Sequence, residues 1–459
     1  IRLEFSMVYD LVIKNGTVVT AETTFLSDVA VQGQTIAAVG QGLSGKRVID
    51  AAGKLLTPGA VDIHVHMQMP IGDFVSSDDF FSGTRAAAIG GTTAIVDFVE
   101  PQVEQPMLEA LAERRALADP RVVVDYGLHM TIGPNEIAKL DQVPAAYAAG
   151  CGSFKLYMAY GLRLDDGQML QAMEAVAGVN GLAVVHAENW DVISTLVAHN
   201  IAAGNTTPHW HPRSRPAPFE GEAVARVVEL SAYSGARAHI FHVTCAEAVQ
   251  QIVSGRRRGL PLTGETCPQY LLLTQDVYDA PGVLGALPVC APPIREQQAQ
   301  EALWRALSAG DLQVVTTDHC PFTSAEKATG LNDFSKIPGG VPSVESRFAA
   351  VYTYGVRAGH LSLNQWVNAC CTMPAKLAGF ERKGKIVPSY DADLAIFDPQ
   401  RELVLSAELL HEQVDWTPYE GMALHGWPET TISRGEIIVE DGQFIGQAGR
   451  GRFVRRNFD

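Results

Sequence analysis

Two histidines, His64 and His66, stand one residue apart in VDIHVH, an apolar run that follows a Pro-Gly break. Residues two apart in a strand share a face, so both rings point one way and can offer two nitrogens to one metal ion. Other apolar runs are each interrupted by a chemically capable residue: Lys155 in SFKLYM, His186 in VVHAE, His242 in HIFHVTC and Asp318 in VVTTDHC. Each has an ordinary explanation taken alone. A strand histidine can be a satisfied core residue, and a lysine can be paired or send its ammonium head to solvent. A desolvated lysine can also act as a Schiff-base nucleophile. The same amine could capture carbon dioxide, giving a carbamate able to bridge two metals. His-Trp-His at 209–211 repeats the spacing, but inside the Pro-rich stretch 206–222, and reads as surface. His239 and His319 fall out of register with their neighbours; His239 reads as structural, and His319 as structural or as a support behind the site.

Eight short apolar segments position these residues, at 60–66, 92–98, 122–130, 153–158, 183–188, 239–245, 261–267 and 313–320. Amphipathic stretches such as 107–118, 168–179 and 246–258 lie between them. Eight alternations of this kind predict an α/β chain folded as a (β/α)8 TIM-type barrel. Chemistry in such a barrel gathers at the C-terminal strand ends, where the four histidines, Lys155 and Asp318 all fall. Six independent ordinary explanations are then hard to sustain. An open doubly wound sheet would favour a Gly-rich phosphate loop after its first strand, where this chain has His-Val-His. Residues 1–57 and 381–459 read as strands with Asn-Gly and other turn signals. They predict a β-sandwich built from both chain ends beside a barrel at 58–380. The stretch 206–222 is expected as a loop near the barrel top.

The 459-residue chain is 47 % hydrophobic and carries a formal net charge of −16. That charge argues against a nucleic-acid backbone or an anionic membrane as main partner. The basic run Arg256–Arg258 precedes a glycine and reads as a helix C-terminus. Seven cysteines without a CxxC pair suggest a reduced, cytoplasmic chain. No charged leader with an apolar core is visible at the start, and residues 1–6, ahead of Met7, read as foreign sequence. No apolar run is long enough to span a membrane.

GAVDIHVH, SFKLYMAY, VVHAEN, FHVTC, GETCPQYLLLT, CAPPIR and TTDHCPF resemble the cyclic amidohydrolases of the amidohydrolase superfamily. The hydantoinase/dihydropyrimidinase group is the nearest in look, and the likeness runs over nearly the whole chain. It implies a distorted barrel with a β-sandwich, usually as a homotetramer, and a binuclear zinc site. By this resemblance His64, His66, Lys155 and Asp318 would hold one Zn²⁺, and carboxylated Lys155, His186 and His242 the other, with a hydroxide between them. Tyr160 would hydrogen-bond the substrate carbonyl oxygen. Main-chain groups near Ala291 and Gly339 would hold the ring amides, at positions where hydantoinases often carry Ser and Asn. The implied reaction is ring opening of 5-substituted hydantoins and dihydropyrimidines to N-carbamoyl amino acids, with Asp318 moving the proton. Met67, Met69, Ile71, Phe74, Tyr157 and Leu162 are expected to form an adaptable apolar lid over the ring substituent.

An allantoinase-type ureide hydrolase is the main alternative. Gln68 stands where dihydroorotases usually carry an arginine for a substrate carboxylate, which counts against that activity. A Schiff-base lyase would leave the four histidines unexplained. A non-catalytic relative tends to lose metal ligands, and none is missing here.

Overall fold

Val-, Ile- and Ala-rich runs form eight parallel strands, paired in sequence order: Ala60–Asp62, Thr92–Val99, Asp125–Thr131, Ser153–Tyr157, Leu182–His186, Arg237–Ile240, Leu262–Thr266 and Val314–Val315. A computed structural model describes residues 7–456 and Phe458; the six residues read as foreign lie outside the described residues. Helices pack over the strands, so the strands carry apolar residues on both faces. Helix Asp166–Ala177 begins with a reciprocal Asp165/Gln168 cap, and helix Ala217–Ser234 stops at Gly235, whose φ is 73°.

The first and last strands close the barrel without a regular ladder. Val65 and His319 form a single parallel bridge, and the His66 amide donates to the His319 carbonyl at 2.8 Å. The Thr317 hydroxyl donates to the Asp62 carboxylate at 2.7 Å. Several strands are shorter than the apolar runs suggest. The run 239–245 stays in the ladder only to Ile240, and 313–320 only over Val314–Val315. His242 and Asp318, which follow, have φ of 38° and 53°. Each follows the end of its regular ladder by two or three residues, in a backbone conformation that an extended strand does not use.

The stretch 206–222 is not simply a loop: it holds the short helix Trp210–Arg213 and the start of helix Ala217–Ser234. The surface reading of 209–211 is corrected for His211, which is buried and donates from Nε2 to the Cys290 carbonyl at 2.7 Å. His209 is part-exposed beside Asp279.

Both chain ends build a separate nine-stranded sheet. They meet where Leu55–Pro58 pairs antiparallel with Leu394–Phe397. The sheet has its own apolar cluster, including Leu11, Val29, Leu56, Leu394 and Ile432. A buried charge cluster ties it to the barrel. Lys383 Nζ lies 2.7 Å from Asp125, at the start of the third barrel strand, and 2.6 Å from Asp393. Arg434 adds a 3.0 Å contact to Asp125. Burial works against the Lys383 charge, but Asp393 and Asp125 outweigh it and raise its pKa. Asp125, Asp391 and Asp393 also converge closely enough to hold a cation, and Lys383 is the cation they hold. Lys383→Met should therefore destabilise the fold by about 3–5 kcal/mol, because it strands buried carboxylates. Urea unfolding measures this, and a loss below about 1 kcal/mol would show that the cluster is not what joins the two parts.

Candidate active site

His64 and His66 follow the first barrel strand and are both buried, with ring centroids 5.3 Å apart. His66 stacks on Phe98 at 4.4 Å. Lys155 lies in the middle of the fourth strand, and its amine makes no ion pair or hydrogen bond among the described residues. Its Nζ sits 4.2 Å from the centroid of Phe241 and 4.6 Å from that of Tyr157. His186 ends the fifth strand, with Nδ1 2.9 Å from Nε2 of His242. Asp318 Oδ1 lies 3.0 Å from His64 Nε2 and 3.1 Å from His66 Nε2. All six residues border one cavity of about 610 Å³, together with Tyr160, Ala291 and Gly339.

Burial dominates the electrostatics. It lowers the Lys155 pKa to about 7, against the pull of Asp318, Glu265 and Glu100, so much of the amine is neutral at ordinary pH. It also lowers His66 to about 4 and takes His242 well below the usual imidazole range. At His64 burial is outweighed by Asp318 and Glu265, and the pKa rises. At Asp318 burial is outweighed by His64, with help from His66, which keeps the carboxylate ionised. The Tyr160 phenol is pushed up by burial and stays a proton donor.

Further residues hold this set in place. Glu265, on the seventh strand, is buried with Oε1 2.6 Å from His64 Nδ1 and Oε2 3.1 Å from His239 Nε2. This contact leaves His64 Nε2 facing the cavity. His239 thus steadies the carboxylate behind His64. Glu188 lies 2.8 Å from His186 Nε2 and 2.5 Å from Arg215, whose guanidinium also lies 5.5 Å from the Tyr160 ring centroid. His319 is held by Asp78 at 3.0 Å, away from the cavity. Sequence reasoning missed Glu265, Glu188 and Arg215. The available signals were a carboxylate inside the apolar run PLTGETC and another two residues after His186.

The lid expectation divides. Met69, Ile71, Tyr157 and Leu162 border the cavity. Met67 does not: it is fully buried in the barrel core, so close to Gly83 that an added Cβ there would meet its sulfur at 2.2 Å. Phe74 pairs with Ile71 across a two-residue hairpin and turns away, its ring 6.3 Å from that of Phe322.

The residues present fit divalent metal. His64, His242 and Asp318 each offer one ligand atom, all within 4.8 Å of one another. His66 Nδ1 and His242 Nδ1 are buried without a hydrogen-bond partner. Imidazole and carboxylate donors without thiolate suit zinc and its neighbours in the first transition row.

The chain is similar to proteins of known family over nearly its whole length. The sequence pattern of the Amidohydrolase family matches residues 55–438. The D-hydantoinase of Geobacillus stearothermophilus is 43 % identical over 451 residues, 97 % of this chain and 96 % of that protein. The crystal structure of dihydropyrimidinase from Brevibacillus agri NCHU1002 superimposes with a TM-score of 0.95 at 41 % identity, covering 97 % of this chain and 98 % of that one. The structure of D-hydantoinase from Bacillus sp. AR9 gives a TM-score of 0.95 at 43 % identity over 98 % of this chain and 100 % of that one. With a barrel that gathers four histidines, a lysine and an aspartate at one cavity, and a pattern match over most of its length, the chain belongs to the amidohydrolase family.

Proposed function

We propose that the protein hydrolyses cyclic amides and imides, opening 5-substituted hydantoins and dihydropyrimidines to N-carbamoyl amino acids. The observation that carries this reading is the single cavity that sets Lys155, four histidines and Asp318 against Tyr160. The relatives named D-hydantoinase and dihydropyrimidinase support it over an allantoinase-type activity. His64, His66, Lys155 and Asp318 would hold one divalent ion, zinc by the donor set, and Lys155, His186 and His242 a second. Bound there, the ions supply Lewis acidity and lower the pKa of a water from about 15.7 to about 7. Lys155 serves as a carboxylated lysine. Its neutral amine adds to carbon dioxide: the C–N bond forms as one C–O π bond opens onto its oxygen, and the nitrogen loses a proton to water.

The chain's own groups then do the following. Asp318 takes the proton of the attacking water and passes it to the leaving ring nitrogen. The Tyr160 hydroxyl donates to the carbonyl oxygen as negative charge develops there. Main-chain groups at Ala291 and Gly339 hold the ring amides. Met69, Ile71, Tyr157 and Leu162 receive the ring substituent on an apolar surface. The seven buried, unbridged cysteines suit a reducing compartment. A cytoplasmic homotetramer is the assembly that the family likeness supports.

Metal-loaded protein should open dihydrouracil or D-5-substituted hydantoins fast in a side-by-side assay with L-hydantoins and allantoin. Opening of allantoin alone would overturn the substrate class. Asp318→Asn should lower turnover by about 10²–10⁴-fold with metal still bound; a near-normal rate would remove Asp318 from proton transfer. Met69→Ala should change the ranking of small and bulky 5-substituted hydantoins, and an unchanged ranking counts against the lid. Glu265→Gln should weaken metal retention about 10–100-fold in a chelator competition. Unchanged retention would mean that Glu265 does not orient His64.

A further inference from the structure

A second cavity, of about 720 Å³, lies beside the first. The two share three wall residues: Tyr160, Ala291 and Gly339. None of the six proposed metal ligands borders the second cavity, and neither do the lid residues Met69, Ile71 and Leu162. One face of helix Trp190–Ala202 forms much of its wall, through Trp190, Ser194, Val197, Ala198 and Ile201. Spacings of four, three, one and three residues keep these side chains on one stripe. Phe334 and Ile337 face them.

Three of the polar groups at its edge, Arg215, His211 and Asp333, already have partners. Arg215 pairs with Glu188 at 2.5 Å. His211 donates to the Cys290 carbonyl, and burial holds it neutral with a pKa of about 3. Asp333 accepts from Ser335 and pairs with Lys336. The lining thus asks for a neutral, apolar group. The passage is open at Gly339, where an added Cβ would meet nothing nearer than the Cys290 Cα at 4.0 Å. Ala291, the other small wall residue, brings only a methyl group.

We propose that this second cavity is a subsite for an apolar substituent on the substrate's imide nitrogen. The inference rests on the ring-opening reading above. Tyr160 marks the attacked carbonyl, while Ala291 and Gly339 mark the ring amides. A group on the nitrogen next to that carbonyl therefore points past these three residues, away from the metal ligands and the lid. The chemistry is unchanged. The bond from the carbonyl carbon to the substituted nitrogen breaks, the water oxygen bonds to that carbon, and one water proton moves to the nitrogen. The product is a carbamoyl amino acid substituted on its terminal nitrogen.

The test compares D-5-methylhydantoin with the same compound carrying a benzyl group on the imide nitrogen. Metal-loaded wild type should open both, with kcat/KM values within about tenfold. Ala198→Trp and Ile201→Trp fill the second cavity from separate turns of the helix. Each should lower kcat/KM for the benzyl compound more than tenfold and leave the parent within about twofold, so the parent reports that the variant is folded. Opening of the parent alone by wild type overturns the subsite and leaves the ring-opening reading standing. Equal losses for both compounds in both variants overturn the subsite as well. Opening of neither compound by wild type overturns the ring-opening reading, and the subsite with it.

Discussion

Lys155 lies inside a barrel with its amine 4.2 Å from one aromatic centroid and 4.6 Å from another, and no carboxylate of the described residues is in ion-pair reach. A buried ammonium without a counterion costs on the order of several kcal/mol. The structure meets this cost by lowering the lysine pKa to about 7, so the amine can shed its charge. The same dry walls depress His66 and His242 and leave one nitrogen of each unpartnered. Only His64 escapes, because two carboxylates flank it.

The backbone carries a second constraint. Tyr160, His242 and Asp318 all have positive φ, at 67°, 38° and 53°. Each is a non-glycine residue in a conformation that costs about 1–3 kcal/mol. Each lies two or three residues beyond the regular end of its strand and borders the common cavity. The barrel supplies rigid strands up to the site, and strained turns aim the last groups. Packing must then over-determine those turns. Glu265, which accepts from the His242 amide at 3.3 Å, and Arg215, whose guanidinium lies 5.5 Å from the Tyr160 ring centroid, are part of that support.

Much of this was legible in the sequence because the strands are apolar and the interruptions stand out. His64, His66, Lys155, His186, His242 and Asp318 were visible as isolated polar positions in runs that otherwise bury. Their convergence followed from barrel topology. The partners behind them were not legible, since Glu265 meets His64 across 201 residues of sequence and no local pattern encodes that contact. The lid failed in part for a local reason. Met67 and Met69 are two apart and would share a face in a strand, but Gln68 between them has φ of 48°. The turn sends Met67 into the core and Met69 to the cavity. His211 misled because a Pro-rich stretch reads as surface, whereas here a short helix carries its ring inward to the Cys290 carbonyl.

The closure of the barrel has a consequence for how the protein is made. Asp62 and Thr317, which join its first and last strands, are 255 residues apart in the chain. Asp318, the last of the six converging residues, lies next to that junction. A chain emerging from the ribosome can form the early strands one by one. It cannot bring the six residues together until Asp318 is out, because the final carboxylate arrives with the final strand. The strand pair Leu55–Pro58 waits longer still, for Leu394–Phe397. Assembly of the site is thus a late event in synthesis, and a partial chain holds a set of histidines with no carboxylate to complete it.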